Sequence, residues 1–306
     1  MTQPTITPGS WIMVLTLGLV WGSTFLLIEV ALTGITPVWL AAARIGFAAI
    51  LTLAVWWARG AALFTTPPAP RDLVRLATIG ALSSAVPFML ISWGQQYVTA
   101  GFAGISMASV ALIVLPLAHW LVPGERMTPR RVVGFVIGFV GVVVLVGPDA
   151  LDQTGNRFEL LGRLACISAA MCYALSSVQM RQLPAINALG LASVTLAIGA
   201  VIVVTAAFAI EGPPPRPDPA TLVVLVVLGL VPTAGANILR TVVVRTAGPV
   251  FMSITNYIVP IVSVLAGAIV LAEPVGINLI WAVVLILCGV GLSQYGAFRR
   301  LFARQT

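Results

Sequence analysis

Ten apolar runs fill most of this 306-residue chain, and each is close to the roughly 20 residues that a helix needs to cross a bilayer. Hydrophobic residues make up 59% of the chain and charged residues only 8%, which is more apolar surface than a soluble domain can bury. We therefore predict an all-α polytopic membrane protein with ten transmembrane helices. The predicted spans are 11–32, 37–57, 73–97, 101–121, 132–147, 160–180, 189–210, 222–244, 249–271 and 277–296.

Arginines are distributed unevenly among the short connections between these spans. With a cytoplasmic N-terminus, only Arg157, Arg163 and Arg216 lie on the outer side, against eleven on the inner side. The eleven are Arg59, Arg71, Arg75, Arg126, Arg130, Arg131, Arg181, Arg245, Arg299, Arg300 and Arg304. Because cytoplasmic loops carry the excess of basic residues, we expect both termini in the cytoplasm and the chain in a bacterial plasma (inner) membrane.

Several classes of function lack the residues that they need. All 16 basic residues are arginine, so there is no lysine for a P-loop or for a Schiff base with a carbonyl cofactor. The single histidine excludes a H-E-x-x-H zinc site, no aspartate lies in a predicted span, and no G-x-S-x-G motif occurs. The arginines form no basic stripe that would bind nucleic acid. We therefore predict no catalytic residues, metal or cofactor, and no nucleic-acid partner.

The two halves of the chain share a pattern of residues. The tripeptide Thr-Ala-Gly at 99–101 recurs at 246–248, and both copies precede an apolar run that contains a proline and ends near a glutamate, Glu125 or Glu273. Further pairs at nearly the same offset are Pro87 with Pro232, Pro116 with Pro260, and Gly141 with Gly289. The chain is therefore predicted to contain an internal duplication.

The duplication divides the chain into residues 1–148, with spans one to five, and residues 149–306, with spans six to ten. Because five is odd, the second half would cross the membrane in the opposite sense to the first, which puts Glu125 on the inner side and Glu273 on the outer side. Many secondary transporters are built from two inverted repeats that enclose a substrate site near the middle of the bilayer.

Prolines inside the spans indicate where such a site would form. A proline frees the carbonyl four residues earlier, and in a bilayer that carbonyl needs a partner or a water-lined cavity. Simple kinking of packed helices is the alternative explanation. The helix-kinking prolines are Pro87, Pro116, Pro232 and Pro260.

Polar and aromatic side chains accompany these prolines and form the predicted substrate-binding set. Trp21 and Tyr173 occupy corresponding mid-span positions in the two halves and would form walls for an organic substrate. Hydrogen bonds between helices and ordinary core packing would explain the same residues without a substrate. The predicted set is Trp21, Ser23, Ser106, Ser109, Tyr173, Asn237, Ser253, Asn256 and Tyr257.

Three ionisable side chains inside the spans are candidates for coupling, because charges are costly there. Arg44 would either bind a carboxylate or join helices through backbone carbonyls, and we expect the second role. Glu29 lies close to the outer end of the first span, where we expect exposure to the interface rather than proton coupling. His119 lies near the inner end of the fourth span, where we expect a hydrogen-bonded interfacial residue.

The segments LVWGSTF, AAARIGFA and GFVIGFVGVVVLVG, together with the duplicated TAG…P…Glu pattern, resemble the EamA-type ten-span members of the drug/metabolite transporter superfamily. The likeness covers nearly the whole chain. It implies two inverted five-helix repeats (5+5) around a central cavity lined by spans one, three, four, six, eight and nine. It also implies peripheral fifth and tenth spans that support homodimer contacts, and export of small metabolites such as amino acids by alternating access.

Two other functions stay open at this point. One is export of drugs or lipids by another type of transporter from the same superfamily. The other is a membrane receptor or scaffold that transports nothing. In the small multidrug-resistance members of the superfamily an acidic residue lies at mid-membrane on the first span, whereas Glu29 lies nearer the end of its span.

Overall fold

The computed structural model describes residues 6–65, 67–122, 126–146 and 158–302. Glu125, the boundary predicted at 148/149, Arg157 and Arg304 lie outside these residues. Nine helices in the described ranges are long and apolar enough to cross a membrane. They are α1 (Pro8–Leu32), α2 (Pro37–Ala58), α3 (Pro70–Gly94), α4 (Ala100–Leu121), α5 (Pro129–Val146), α6 (Glu159–Met180), α7 (Ala188–Glu211), α8 (Pro219–Val244) and α10 (Ile277–Phe302).

These helices correspond to nine of the ten predicted spans, with small shifts at the ends. The third begins earlier than predicted because Pro70 occupies its first turn and Asp72 accepts a hydrogen bond from the Ala69 amide at 2.9 Å, which caps the helix. It also ends earlier, since Gln95 and Gln96 already form a turn. The α1 helix is interrupted at Ser23, between Gly22 and Thr24.

The ninth predicted span is the exception, and the prediction of one continuous helix over 249–271 is wrong. A single turn, Pro249–Met252, is separated by residues 253–254 from the helix α9 (Thr255–Val270). The chain re-enters the helix through short-range bonds, in which the amides of Asn256 and Tyr257 donate to carbonyls three residues earlier. The break therefore precedes Pro260, which α9 accommodates in its interior.

Two π-helical turns interrupt α3 and α8 at corresponding places. The turn in α3 is Ala81–Ala85, just before Pro87, and the turn in α8 is Gly229–Gly235, which contains Pro232. A proline removes the amide hydrogen that would close the ordinary helical bond, and a π-helical turn re-routes the neighbouring bonds. Such turns are frequent at functional sites.

Contacts between helices follow a regular pattern. The pairs α2 with α7, α4 with α9, and α5 with α10 pack against each other. In addition, α1 contacts α8 and α9, whereas α6 contacts α3 and α4. The π-helical turn of α8 packs on α2, and that of α3 packs on α7. Shifting each helix number by five turns every contact named here into itself or into another contact of the set. The contact of α1 with α8, for example, becomes that of α6 with α3.

The helices α5 and α10 pack against each other more extensively than any other described pair. A side chain at Gly289 would lie 2.5–2.6 Å from backbone atoms of Gly134 and Gly138, so only glycine fits there. Of the nine spanning helices, these two have the smallest buried fraction in their apolar stretch. Their exposed valines, such as Val136 and Val143, present an apolar surface that suits lipid. The dimer contact expected here stays a prediction.

Candidate functional site

The π-helical turn of α8 brings together polar groups from several helices. Pro232 lacks the amide that would bond the Leu228 carbonyl in an α-helix. In the π-helical turn that carbonyl takes the Thr233 amide, and the Thr233 hydroxyl also donates to it, at 2.8 Å. The Trp21 indole donates to the Pro232 carbonyl at 3.0 Å. The Asn237 side-chain amide donates to the carbonyl of Thr233. Side chains therefore add hydrogen bonds to the irregular backbone of this turn, as suits a segment at membrane depth.

Arg44 on α2 is the charge at the centre of this group. Its side chain is only 6% exposed. The Nε–H donates to the Thr233 hydroxyl oxygen at 2.8 Å, so that hydroxyl joins the arginine to the freed carbonyl. The guanidinium carbon lies 4.3 Å from the centroid of the Phe88 ring on α3, a cation–π contact. Arg44 thus joins three helices, through a hydroxyl and a ring rather than through the predicted carbonyls.

Tyr173 on α6 completes the group from the opposite half of the chain. Its ring meets Phe88 edge-on, with centroids 6.4 Å apart, and it is close enough to Arg44 for an electrostatic interaction. The side chain is half-buried. The described residues supply no hydrogen-bond partner for the Tyr173 hydroxyl or for either Nη atom of Arg44.

We call this set the Arg44 cluster; it lies in the interior of α1, α2, α3, α6 and α8. Arg44 and Thr233 are buried, whereas Trp21 and Tyr173 are half-buried. The described ranges hold no acidic side chain in an ion pair with Arg44, and no group of His, Cys, Asp or Glu suited to a metal ion. The members are Trp21, Arg44, Phe88, Tyr173, Thr233 and Asn237.

The predicted serines lie in different surroundings. Ser106 and Ser109 on α4 are fully buried, and each hydroxyl donates to a carbonyl of its own helix. Neither is open to a substrate in this conformation. Ser23 is half-buried and occupies the break in α1, two residues after Trp21.

The other predicted residues lie in and just after the break before α9. Ser253 lies in the break, and its hydroxyl donates to Gln294 Oε1 on α10 at 2.8 Å. Asn256 and Tyr257 lie in the first turn of α9 rather than mid-span, and both are half-buried. The Tyr257 hydroxyl is buried and has no hydrogen-bond partner among the described residues.

The four prolines do not act alike. Pro87 and Pro232 accompany the two π-helical turns, whereas Pro116 and Pro260 lie in the interior of unbroken stretches of α4 and α9. Only the turn that contains Pro232 contributes to the Arg44 cluster.

Glu29 does not lie exposed at the interface as predicted. It is half-buried, and its Oε2 atom is buried without a hydrogen-bond partner among the described residues. The turn after α3 places Gln95, 3% exposed, beside it, where the Gln95 amide also donates to the Phe25 carbonyl at 2.9 Å. Glu273 interacts electrostatically with Glu29.

Glu273 also closes one end of the bundle. Its two carboxylate oxygens accept hydrogen bonds from the Ala100 amide at 2.7 Å and the Gly101 amide at 3.2 Å, which are unpaired donors at the start of α4. A carboxylate at a helix N-terminus is also favoured by the helix dipole. The repeated Thr-Ala-Gly and glutamate patterns of the sequence are therefore in direct contact here.

His119 lies exposed at the end of α4, away from the Arg44 cluster. It lines a cavity of about 90 Å³ together with Arg126, Arg131 and Arg181. A second cavity, of about 220 Å³, is lined by residues that include Phe102, Glu159 and Arg163. Neither cavity includes a residue of the Arg44 cluster.

Sequence reasoning missed three residues of these sites: Phe88, Thr233 and Gln95. Thr233 could have been identified from the segment VPTAG, in which a hydroxyl residue directly follows a proline inside a predicted span. A proline leaves a carbonyl one turn earlier without its α-helical donor, and a nearby hydroxyl can donate to it. Gln95 and Phe88 carry no comparable local signal. Their roles follow from neighbours that are distant in sequence.

Comparison with known proteins decides the family. The model of the EamA-like transporter family matches residues 9–147 and again residues 160–294. The chain belongs to the EamA-like transporter family. The resemblance that the sequence motifs predict is thereby confirmed, and this EamA-family chain is a multi-pass membrane transporter.

Similar proteins agree with this assignment. The chain is 22% identical over 290 residues to an uncharacterized transporter, YoaV, of Bacillus subtilis, covering 94% of this chain and 97% of that protein. It is 26% identical over 251 residues to the uncharacterized inner membrane transporter YedA of Escherichia coli K12, covering 81% and 78%. A probable terminal-alkyne amino-acid exporter of Streptantibioticus cattleyicolor is 31% identical over 135 residues, covering 44% and 43%.

A solved crystal structure shares the fold. It matches with a TM-score of 0.66 over 96% of this chain and 99% of that chain, at 20% sequence identity. At that level of identity the likeness concerns the fold alone.

Proposed function

We propose that this EamA-family transporter exports small organic metabolites, such as amino acids, by alternating access around the Arg44 cluster. The observation that carries the proposal is the cluster itself, a buried cation with half-buried aromatic and amide groups in the interior of five spans. Polar groups at membrane depth are costly unless they are paired or line a pathway. Interrupted helices at corresponding positions of two halves are typical of transporter substrate sites.

Alternating access requires two halves that can rock against each other, and we propose an inverted 5+5 arrangement. Two observations support it. The family model matches the chain twice, over residues 9–147 and 160–294. The contacts between helices also come in pairs related by a shift of five, such as α1 with α9 and α6 with α4. An axis of two-fold pseudosymmetry would generate this pattern.

We further propose that the chain lies in a bacterial inner membrane with both termini in the cytoplasm. The arginine distribution supports this orientation, and the relative YedA is named as an inner membrane transporter. In this orientation the Glu273 contact with the start of α4 closes the outer side of the site. Opening to the outside would require that contact to break.

Among the three predicted coupling residues, Glu29 is the one whose surroundings support the role. Its buried Oε2 atom and the buried Oε1 atom of Gln95 both lack a donor in the described part of the chain. A proton on Glu29 would supply one, and it would also reduce the repulsion from Glu273. Arg44 is better suited to the substrate, and His119 lies exposed at a helix end.

Export of amino acids is favoured by one relative and by the chemistry of the site. The relative is the protein of Streptantibioticus named as a probable amino-acid exporter. The Arg44 cluster offers a cation, an amide and aromatic rings, which suit a small molecule with a charged group and an apolar part. Multidrug export and a receptor without transport are the alternatives that a flux measurement separates.

The first experiment is a metabolite-release profile of cells that overproduce the protein. Three forms are compared: the wild type, Trp21→Ala in the Arg44 cluster, and Trp57→Ala, a matched control whose side chain is 80% exposed at the end of α2. We expect small metabolites to accumulate in the medium with the wild type and with Trp57→Ala, but not with Trp21→Ala. Counterflow of a released solute by purified protein in liposomes then shows direct transport. Ligand binding without counterflow would contradict the proposal.

A further inference from the structure

We propose that Arg44 binds the carboxylate of the transported molecule, so that the substrates are small aromatic or apolar carboxylates, either simple acids or zwitterions. This inference rests on the proposed function and names its substrate class. It starts from a charge imbalance in the described structure, and it assigns to Arg44 a role other than joining helices.

The imbalance is that Arg44 is a buried cation without an anionic partner. A guanidinium stays protonated at any physiological pH, and a buried charge without a counter-charge is strongly unfavourable. The ion pairs within the described residues join Arg75 to Asp72 and Arg163 to Glu159, and neither includes Arg44. The Phe88 ring offsets only part of the cost. A substrate carboxylate would supply the missing charge.

The donors of Arg44 point to the same conclusion. A guanidinium has five N–H donors in a fixed plane, and in the described structure only Nε–H makes a hydrogen bond, to Thr233. That bond and the cation–π contact with Phe88 hold the group in position. The Nη edge, which can bind both oxygens of a carboxylate, has no partner among the described residues. A purely structural arginine would be expected to use more of its donors.

Neighbouring groups extend the site beyond the charge. The Tyr173 hydroxyl lies near Arg44 and lacks a hydrogen-bond partner in the described ranges, so it can donate to the same carboxylate. The cluster also holds the aromatic rings of Phe88, which contacts Arg44 and Tyr173, and of Trp21, which is held through the Pro232 carbonyl. Rings of this kind favour an aromatic or apolar body on the substrate.

Four probes that share a benzyl group test the charge requirement in purified protein in nanodiscs. They are phenylacetate, L-phenylalanine, phenylacetamide and phenethylamine. We expect at least one of the two carboxylates to bind about 10-fold or more tightly than both the amide and the amine, because removing one member of a buried charge pair is costly. This comparison uses the wild-type protein alone and so does not depend on any variant folding.

Arg44→Gln then tests the residue, with Arg59→Gln as the matched control, since Arg59 is an exposed arginine just after the end of α2. Arg44→Gln should weaken carboxylate binding about 100-fold and leave the amide and amine nearly unchanged, whereas Arg59→Gln should bind all four as the wild type does. A wild type without preference for a carboxylate, or a preference retained in Arg44→Gln, would overturn the inference.

Failure of this inference can be told apart from failure of the proposed function. If overproducing cells release solutes without a carboxylate, and the purified protein exchanges them, transport stands and the role of Arg44 falls. If no solute is exchanged by counterflow, the transport proposal itself fails, whatever the four probes do.

Discussion

Thr233 is the residue whose removal tests the arrangement of the Arg44 cluster most sharply. Its hydroxyl accepts a hydrogen bond from Arg44 Nε at 2.8 Å and donates one to the Leu228 carbonyl at 2.8 Å. Thr233→Val replaces the hydroxyl with a methyl group of nearly the same size, so packing is kept while both bonds are lost. The Leu228 carbonyl keeps the Thr233 amide of the π-helical turn, whereas the buried Arg44 Nε–H loses its acceptor.

The magnitude follows from the two lost bonds. A hydrogen bond to a charged group contributes about 1.5–3 kcal/mol, and a buried donor such as Arg44 Nε–H, left without an acceptor, costs about 1–3 kcal/mol. Measured hydrogen bonds between membrane helices are weaker, about 0.6 kcal/mol on average and up to about 1.7. We therefore expect Thr233→Val to lower the free energy of unfolding by about 2–3 kcal/mol, which is about 30- to 150-fold in the equilibrium constant.

The assay is reversible unfolding in mixed micelles, followed by far-ultraviolet circular dichroism. Thr205→Val is the matched control, because its hydroxyl donates to the Val201 carbonyl on an exposed face of α7, and that carbonyl also has its helical bond. We expect the control to change stability by less than about 0.5 kcal/mol. Equal losses in the two variants would refute the reasoning.

A double variant separates the two bonds of the Thr233 hydroxyl. Pro232→Ala restores an amide at position 232, and in an α-helix that amide bonds the carbonyl of residue 228. Because Thr233→Val still removes the acceptor of Arg44 in this background, it should cost nearly what it costs alone. A cost smaller by about 1 kcal/mol or more would show that the effect comes from the Leu228 carbonyl rather than from Arg44.

Three further predictions concern the rest of the fold. Glu273→Gln should destabilise the protein by about 1 kcal/mol, because the capping group at the start of α4 loses its charge; unchanged unfolding in mixed micelles would contradict that cap. Gly289→Ala should cost about 1–3 kcal/mol through overlap with the α5 backbone, whereas Gly276→Ala, where a side chain meets nothing within 4 Å, should be tolerated; similar melting temperatures for both would count against the packing. Glu29→Gln imitates a protonated carboxyl, so efflux should lose its dependence on a pH gradient across liposomes; an unaltered dependence would exclude Glu29 as the coupling group.

Much of the fold was predictable because bilayer thickness sets the length of a span and the cost of charge sets its composition. Nine of the ten predicted spans correspond to helices for that reason. The duplicated prolines also indicated where α3 and α8 would be irregular, since the loss of an amide hydrogen is a local property of the sequence. The structure has a π-helical turn just before Pro87 and another that contains Pro232.

The site was less predictable because its contacts join residues far apart in the chain. Arg44 and Thr233 are 189 residues apart, and Trp21 and Pro232 are 211 apart. Nothing in the neighbouring sequence specifies which donor satisfies a freed carbonyl. Likewise, Glu29 appeared close to a span end, but its burial depends on Gln95, which follows another helix.

The sequence pattern also predicted the wrong positions for the residues around the break before α9, because it indicated no break. The apolar run over 249–271 is long enough to cross a membrane, so one continuous helix was the natural prediction. The observed short-range bonds of Asn256 and Tyr257 start a new helix at that point. Polar residues that follow one another closely compete with regular helical bonding, and this competition leaves no mark on average hydropathy.

The sidedness of two corresponding turns tests the inverted arrangement most directly. Single cysteines at Thr128, after α4, and at Val275, after α9, both exposed, are introduced into a cysteine-free protein and treated with a membrane-impermeant thiol reagent in intact spheroplasts. We predict that the cysteine at 275 reacts from outside and that the cysteine at 128 reacts only after the membrane is permeabilised. Reaction of both from the same side would contradict two oppositely oriented halves and the transport site proposed between them.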